Sequence, residues 1–367
     1  MKRIFALLLA LCLLLCACGS QPEEIQPATE APTETPAEAP TEAPTEAPTE
    51  APTEAPVVYR HPLNGELLEE AFTGKATAIV INNVSVAMPQ SGITGVDMLY
   101  EVETEYGVTR CLGIFTNFEG LGAIGPIRSA RTYFNNISTS YGAPLFHCGG
   151  SSMAKAAQYD SSGTPLNNWL HVDQMANTQY FYRDMTRFNS GYAWEHTLYT
   201  TAENVLQCLA DKELDTPNAE GTDYGLLFTE EPQINGTAAN SVIVSFLGGK
   251  ESKFTYDSET GLYNAYQYGK DWVDAVNGEV LAFRNVLALY APQEKITFGS
   301  TAHSFYDLVG SGSGYFACDG WIVKINWHRE DLYGPFSYTL EDGTPLTLGV
   351  GQSYVGIVSD RCDVEYS

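Results

Sequence analysis

Ala76-Thr77-Ala78-Ile79-Val80-Ile81-Asn82 is apolar and rich in β-branched residues. A run of this length and composition reads as a strand buried on both faces. Working outward, residues 97–103 and 106–115 read as two further strands around a Tyr106-Gly107 turn. Residues 127–137 read as a helix, because Pro126 suits a first turn and Ala130, Tyr133, Phe134 and Ile137 fall on one face. A short strand at 143–147 leads through Gly149-Gly150-Ser151 into a second helix ending near Gln158. Thr200 and Glu203 have the spacing of a capping box that opens a third.

Beyond residue 240 the pattern changes to strands, at 241–246, 262–268, 286–290, 314–317 and 321–327, with Asp319-Gly320 as a hairpin turn. Gly310-Ser311-Gly312-Ser313-Gly314 sits between strands, which predicts a turn or bulge rather than a phosphate loop. The predicted class is α+β: a mixed α/β N-terminal part and a mostly antiparallel β C-terminal part, packed as layered sheets with helices. The expected divisions are 57–210 and 239–367, joined by a polar linker at 211–238.

Two segments precede this globular part. Lys2 and Arg3 are followed by an apolar run too short to span a bilayer comfortably, then by Leu15-Cys16-Ala17-Cys18. Residues 1–18 therefore read as a lipoprotein signal with its lipobox, and Cys18 as the lipidated residue. Residues 19–56 repeat Glu-Ala-Pro-Thr, with nine Glu and no Lys or Arg. Such a composition predicts a disordered acidic stalk that could reach roughly 120 Å if fully extended. The expected location is the extracytoplasmic face of the cell membrane, with the lipid bilayer as partner through Cys18.

The chain carries a net charge of −26, with only 19 Lys and Arg among 367 residues. An acidic surface argues against nucleic acid and against anionic lipid as broad partners, and makes any local basic cluster conspicuous. Five cysteines remain besides Cys18 in the mature chain, with no spacing that suggests zinc. No metal site is expected on that ground.

Against this background, Arg128 and Arg131 stand three apart at the expected start of a helix. There, backbone N–H groups and two guanidinium forks suit a phosphate or carboxylate. His147 and the Gly149-Gly150-Ser151 turn form a second strand-to-helix junction with the same preference. Arg183 and Arg187 are four apart, with Asp184 between them and His196 further on. His147 and His196 are the candidate acid–base groups, since histidine changes charge near neutral pH. Asp97, Glu101 and Glu103 alternate on one strand face, where carboxylates suit Mg²⁺ or Ca²⁺, or pair with the arginines. Asp97 is the catalytic candidate among them, and Mg²⁺ the cofactor they would suit.

Several of these stretches are familiar together. Ile81-Asn82-Asn83, Pro89-Gln90-Ser91-Gly92, residues 97–101, Gly125-Pro126-Ile127-Arg128-Ser129-Ala130-Arg131, His147 with Gly149-Gly150-Ser151, residues 181–184 and His196-Thr197-Leu198-Tyr199 resemble the YerB-like lipoprotein family. So do Phe254-Thr255-Tyr256, Asn285-Val286 and residues 308–315 in the second half. The resemblance spans nearly all of 60–360 and implies a two-part domain and a lipid-anchored location, with no established activity. This chain has Met88 where the family carries Arg, and a longer segment between Arg187 and His196. The leading expectation is a protein that binds an anionic, phosphate-containing envelope ligand in an Arg/His-lined cleft. The alternatives are a non-catalytic scaffold or protein-interaction lipoprotein, and a phosphotransferase, since the order of Asp97 and Arg128 is loosely similar to that of the LytR-CpsA-Psr wall-polymer enzymes.

Overall fold

Ile79 and Ile81 pack on one side of a sheet, while Ala78 and Val80 pack on the other. Successive side chains of a strand point to opposite faces, so a strand covered on both faces must be apolar throughout. The computed structural model describes residues 58–158, 170–218 and 222–367, all within the unit Pro56–Ser367. The lipobox with Cys18 and the 19–56 stalk lie outside the described residues. Among the described residues no helix is long and apolar enough to cross a membrane.

The strands used below, in chain order, are β1 (Thr77–Asn83), β2 (Met98–Glu103), β3 (Thr109–Phe115), β4 (Leu145–His147), β5 (His171–Asp173), β6 (Tyr182–Arg183) and β7 (Leu198–Thr201). They continue with β8 (Thr237–Ala238), β9 (Ser241–Ser245), β10 (Glu251–Asp257), β11 (Leu262–Gln267), β12 (Asn285–Ala291), β13 (Gly310–Cys318), β14 (Trp321–Arg329), β15 (Ser337–Leu340) and β16 (Ser353–Ser359). The helices are α1 (Thr132–Ser140), α2 (Ser152–Gln158), α3 (Met185–Asn189) and α4 (Ala202–Asp211).

An 11-stranded sheet runs β8-β14-β13-β12-β16-β2-β3-β1-β4-β5, with β15 paired to β14. Its strands come from both parts of the chain. The seam is the parallel pairing of β16 with β2, from Ser353 opposite Met98 to Ile357 opposite Val102. The segment expected to be only a linker contributes β8 to the far edge. One face of this sheet is covered by α1 through Tyr133, Phe134 and Ile137. Against the other face pack residues of a 6-stranded sheet that includes β9, β10 and β11, among them Val242, Phe254 and Tyr263. The molecule is thus α+β, with layered sheets and few helices.

Three local expectations are corrected. The helix expected from residue 127 begins at Thr132. Residues 126–130 are extended instead, because β1 and the 148–151 turn take their hydrogen bonds: Asn82 N–H donates to the Pro126 carbonyl, Arg128 N–H to that of Val80, and Ala130 N–H to that of Gly149. The cap of α4 is Thr201, whose hydroxyl accepts from Asn204 N–H, while the buried Thr200 hydroxyl donates to the Tyr180 carbonyl. The 310–314 glycine run is neither turn nor bulge but part of β13. A Cβ at Gly312 would meet Trp327 Nε1 at 2.4 Å, so glycine is what lets the indole cross the strand.

Candidate functional site

Arg110 lies on β3, opposite Asn82 of β1 and Val102 of β2. By strand alternation it points to the same face as Leu112 and Ile114, towards α1. Its side chain is 7% exposed. Its Nη1 donates to the Ser129 carbonyl at 2.9 Å, and no carboxylate lies within ion-pair distance of it among the described residues. Ser129 belongs to the extended segment that carries Arg128 and Arg131, so one carbonyl ties the three guanidinium groups to one locale. Burial, then the charges of Arg131 and Arg128, bring the Arg110 pKa down to about 9, which leaves it protonated at neutral pH.

The two neighbours do have carboxylates. Arg131 meets Glu105 through Nε at 2.8 Å and Nη2 at 2.5 Å, with both groups largely buried. Burial alone would raise Glu105, but the hydrogen bonds and charge of Arg131 outweigh it and hold the carboxyl low. Glu105 also meets His303 Nδ1, whose Nε2 contacts the Ser152 hydroxyl. Arg128 Nη1 meets Glu195 at 2.9 Å, and Glu195 is 58% exposed, so this is a surface pair that solvent weakens. The Arg128 Nε–H is buried with no acceptor among the described residues.

The remaining expected site residues are placed as follows. Arg183 donates to the Trp194 carbonyl and lies 4.5 Å over its ring. Its charge and that of Arg128 both act on the Cys148 thiol, so the cationic locale extends this far. Arg187 is committed to structure: it donates to the Ala87 and Pro89 carbonyls and stacks on Tyr192. His196 accepts from Asn82 Nδ2 at 2.9 Å, and burial lowers its pKa against the pull of Glu195. It sits beside Arg128 as a neutral ring.

The glycine junction differs from the sequence expectation. His147 is fully buried, its Nδ1 donates to the Gly149 carbonyl at 2.7 Å, and burial lowers its pKa to about 4. The Gly149 N–H already serves the Asp173 carboxylate at 2.8 Å, and the Ser151 N–H serves the Ala130 carbonyl. The Ser151 hydroxyl caps α2 through Ala154 N–H. His147, Gly149 and Ser151 therefore brace the arginine segment from behind. Gly150 does the same by pairing with Ala130.

The three carboxylates do not converge either. Asp97 accepts from Asn64 and Thr116, Glu101 pairs with Lys250 in the core, and Glu103 accepts from Gly248 N–H. Among the described residues no three metal-ligating side chains come together. The Cys148 thiol is pushed up by burial and donates to Gln174, so it is not the ionised nucleophile that thiol chemistry needs. What the arrangement offers chemically is a partly shielded cluster of cations, with one counter-charge, Glu105, buried and another, Glu195, exposed to solvent.

Comparisons with known proteins place the chain in a family. A model of the N-terminal domain of a protein of unknown function, DUF3048, matches residues 63–215, and the model of its C-terminal domain matches 242–355. The chain belongs to the DUF3048 family. YerB of Bacillus subtilis (strain 168), a protein named as a lipoprotein, is 25% identical over 303 residues, covering 82% of this chain and 86% of its own. The crystal structure of YerB from Bacillus subtilis superposes with a TM-score of 0.70 at 22% identity, covering 83% of this chain and 99% of that one, which establishes the shared fold. In this DUF3048 chain the two family segments contribute strands to one sheet. They meet along the β2–β16 seam, and the arginine cluster stands on the N-terminal segment.

Sequence reasoning missed Arg110. The signal was present: on a strand whose alternate residues Leu112 and Ile114 face the core, a charged residue two positions earlier points inward as well.

Proposed function

We propose that this protein, held at the extracytoplasmic face of the membrane through Cys18, binds a phosphate-containing anion between Arg110, Arg128 and Arg131. The observation that carries this reading is Arg110: a buried guanidinium without a carboxylate, acted on by two further arginine charges, in a chain of net charge −26. Buried charges are ordinarily paired, since an unpaired one costs several kcal/mol. An anion entering past the exposed Glu195 would supply the missing charge, and the unused Arg128 Nε–H a further donor.

The test is a titration with pyrophosphate followed by thermal melting. Wild type should be stabilised in a concentration-dependent way. Arg110→Gln should weaken binding roughly 10- to 100-fold, as expected for losing one charge-assisted bond of about 1.5–3 kcal/mol, without lowering the melting temperature of the free protein. An arginine that only braces the fold gives the reverse: a lower melting temperature in the variant and flat titrations in both proteins.

A further inference from the structure

The segment from β6 through α3 to Trp194 shows a second feature, on the outside of the same locale. Tyr182, Met185, Phe188 and Trp194 are all exposed, Phe188 by 42% and Trp194 by 51%. Phe188 and Trp194 meet edge to face at 5.4 Å, so these two form one apolar pair, with Tyr182 and Met185 exposed on the same short segment. The patch is held rigidly. Asp184 caps α3 by accepting from Thr186 and Arg187 N–H. Arg187 grips the 87–89 turn, and the Tyr192 hydroxyl donates to the Met88 carbonyl. A loop anchored this firmly that still displays large apolar side chains is displaying them to something.

The chemistry of the patch narrows what that is. Its aromatic rings are interleaved with cations. Arg183 lies over Trp194, and Arg128 reaches both the backbone and the side chain of Glu195, the next residue. Aromatic rings beside arginines are the composition that settles at the boundary between headgroups and hydrocarbon. The chain as a whole is acidic, so an anionic bilayer is approached best where arginines gather, and this segment carries Arg183 and adjoins Arg128. We propose that residues 182–194 are an apolar rim that docks the protein on an anionic lipid surface, with lipid phosphates facing the adjoining arginine cluster. This rests on the anion-site reading for the role of the phosphate, while the rim itself stands on the exposed patch.

The experiment uses the mature chain from Gly19 without its lipid, co-sedimented with vesicles of phosphatidylcholine alone or mixed with phosphatidylglycerol. Wild type should bind the mixed vesicles and not the neutral ones. Phe188→Ser/Trp194→Ser should weaken that binding by roughly 10-fold or more, and leave both the melting temperature and the pyrophosphate titration unchanged. Met185→Ser, a smaller change on the same rim, should give an intermediate loss. Binding that the rim variants do not weaken would overturn the proposal. So would a stabilising pyrophosphate titration with no vesicle binding, which leaves the anion site standing alone. Rim-dependent vesicle binding with a flat pyrophosphate titration would keep the rim and remove the phosphate site. A dimer in solution that Trp194→Ser dissociates would assign the patch to a second copy of the chain and overturn lipid docking.

Discussion

Lys250 is a cation inside the core, and what surrounds it explains how it is tolerated. It pairs with Glu101 and Ser252, and the rings of Phe246, Tyr268 and Trp272 lie 5.3 to 5.8 Å from its ammonium group. Glu101 also accepts from Asn83, Thr109 and Tyr354, so each of its oxygens is satisfied. Burial alone would raise the Glu101 pKa, but Lys250 and the hydroxyls of Ser252 and Thr109 outweigh it and hold the carboxyl below its ordinary value. Lys250→Met would leave that charge buried and unpaired, at a cost of roughly 3–5 kcal/mol. Adding Glu101→Gln should recover a large part of the loss, which denaturant unfolding of the single and double variants would measure. A Lys250→Met protein as stable as wild type would show that the pair contributes nothing. His147 offers a separate test at this scale. Burial holds it neutral with a pKa of about 4, against the opposing pull of Asp173 and the Gly149 carbonyl. In the unfolded chain the ring titrates near 6.5. Between those values the unfolded chain carries a proton that the native one lacks, so stability is full above about pH 6.5 and falls as pH drops towards 4. The gap corresponds to on the order of 3 kcal/mol at the acid end, and half-buried His171 and buried His196 act in the same direction. His147→Gln should flatten the melting temperature measured across this window; a wild-type profile already flat there would refute the neutral ring.

Elements were legible where one physical signal dominated. The strands at 77–83, 98–103, 109–115 and 262–267 follow from alternation and β-branched content, and Asp319-Gly320 from its positive φ at both positions. Elements were misread where a tertiary partner overrode the local preference. Residues 127–130 have a helical pattern, yet β1 and the 148–151 turn take their backbone hydrogen bonds, and Ile127 takes its place opposite Ile81 instead. Gly310–Gly314 looks like a loop by composition, and only the presence of Trp327 on the neighbouring strand gives the glycines a reason to be in a sheet. The candidate site shows the same division. Arg128 and Arg131 attract notice in an acidic chain whatever their local structure, and the fold brings both to Arg110, with Arg131 as the N-cap of α1 and Arg128 on the extended segment before it. The role of the 147–151 turn depended on Asp173, a residue 24 positions away that occupies the Gly149 amide, and nothing local announces it. Exposure of the 182–194 rim was likewise beyond the sequence, since an apolar residue in a short helix ordinarily turns inward.

At the scale of the whole molecule, two family segments share one sheet, and this sets how the chain must fold. β16 lies between β12, from its own segment, and β2, from the other. Tyr354 on β16 donates to Glu101 on β2 across 253 residues of sequence. An N-terminal fragment alone would expose the β2 edge and leave Glu101 without Lys250, Ser252 and Tyr354. A C-terminal fragment alone would expose β16 and leave Lys250 as an unpaired cation among aromatic rings. Open sheet edges and uncompensated buried charges both oppose folding. Fragments 58–238 and 239–367 should therefore each lack a cooperative thermal transition when made separately. Co-expressed, they should associate and melt as one unit, at a lower temperature than the intact chain because joining them restores a bimolecular cost. Long-range pairing of this kind must also wait for distant segments to meet, so refolding of the intact chain should be slow for its size. Calorimetry of each fragment and of the mixture decides the matter. A cooperative transition in the isolated 58–238 fragment would mean that the arginine-bearing segment is a domain in its own right and that the β2–β16 seam is only a docking contact.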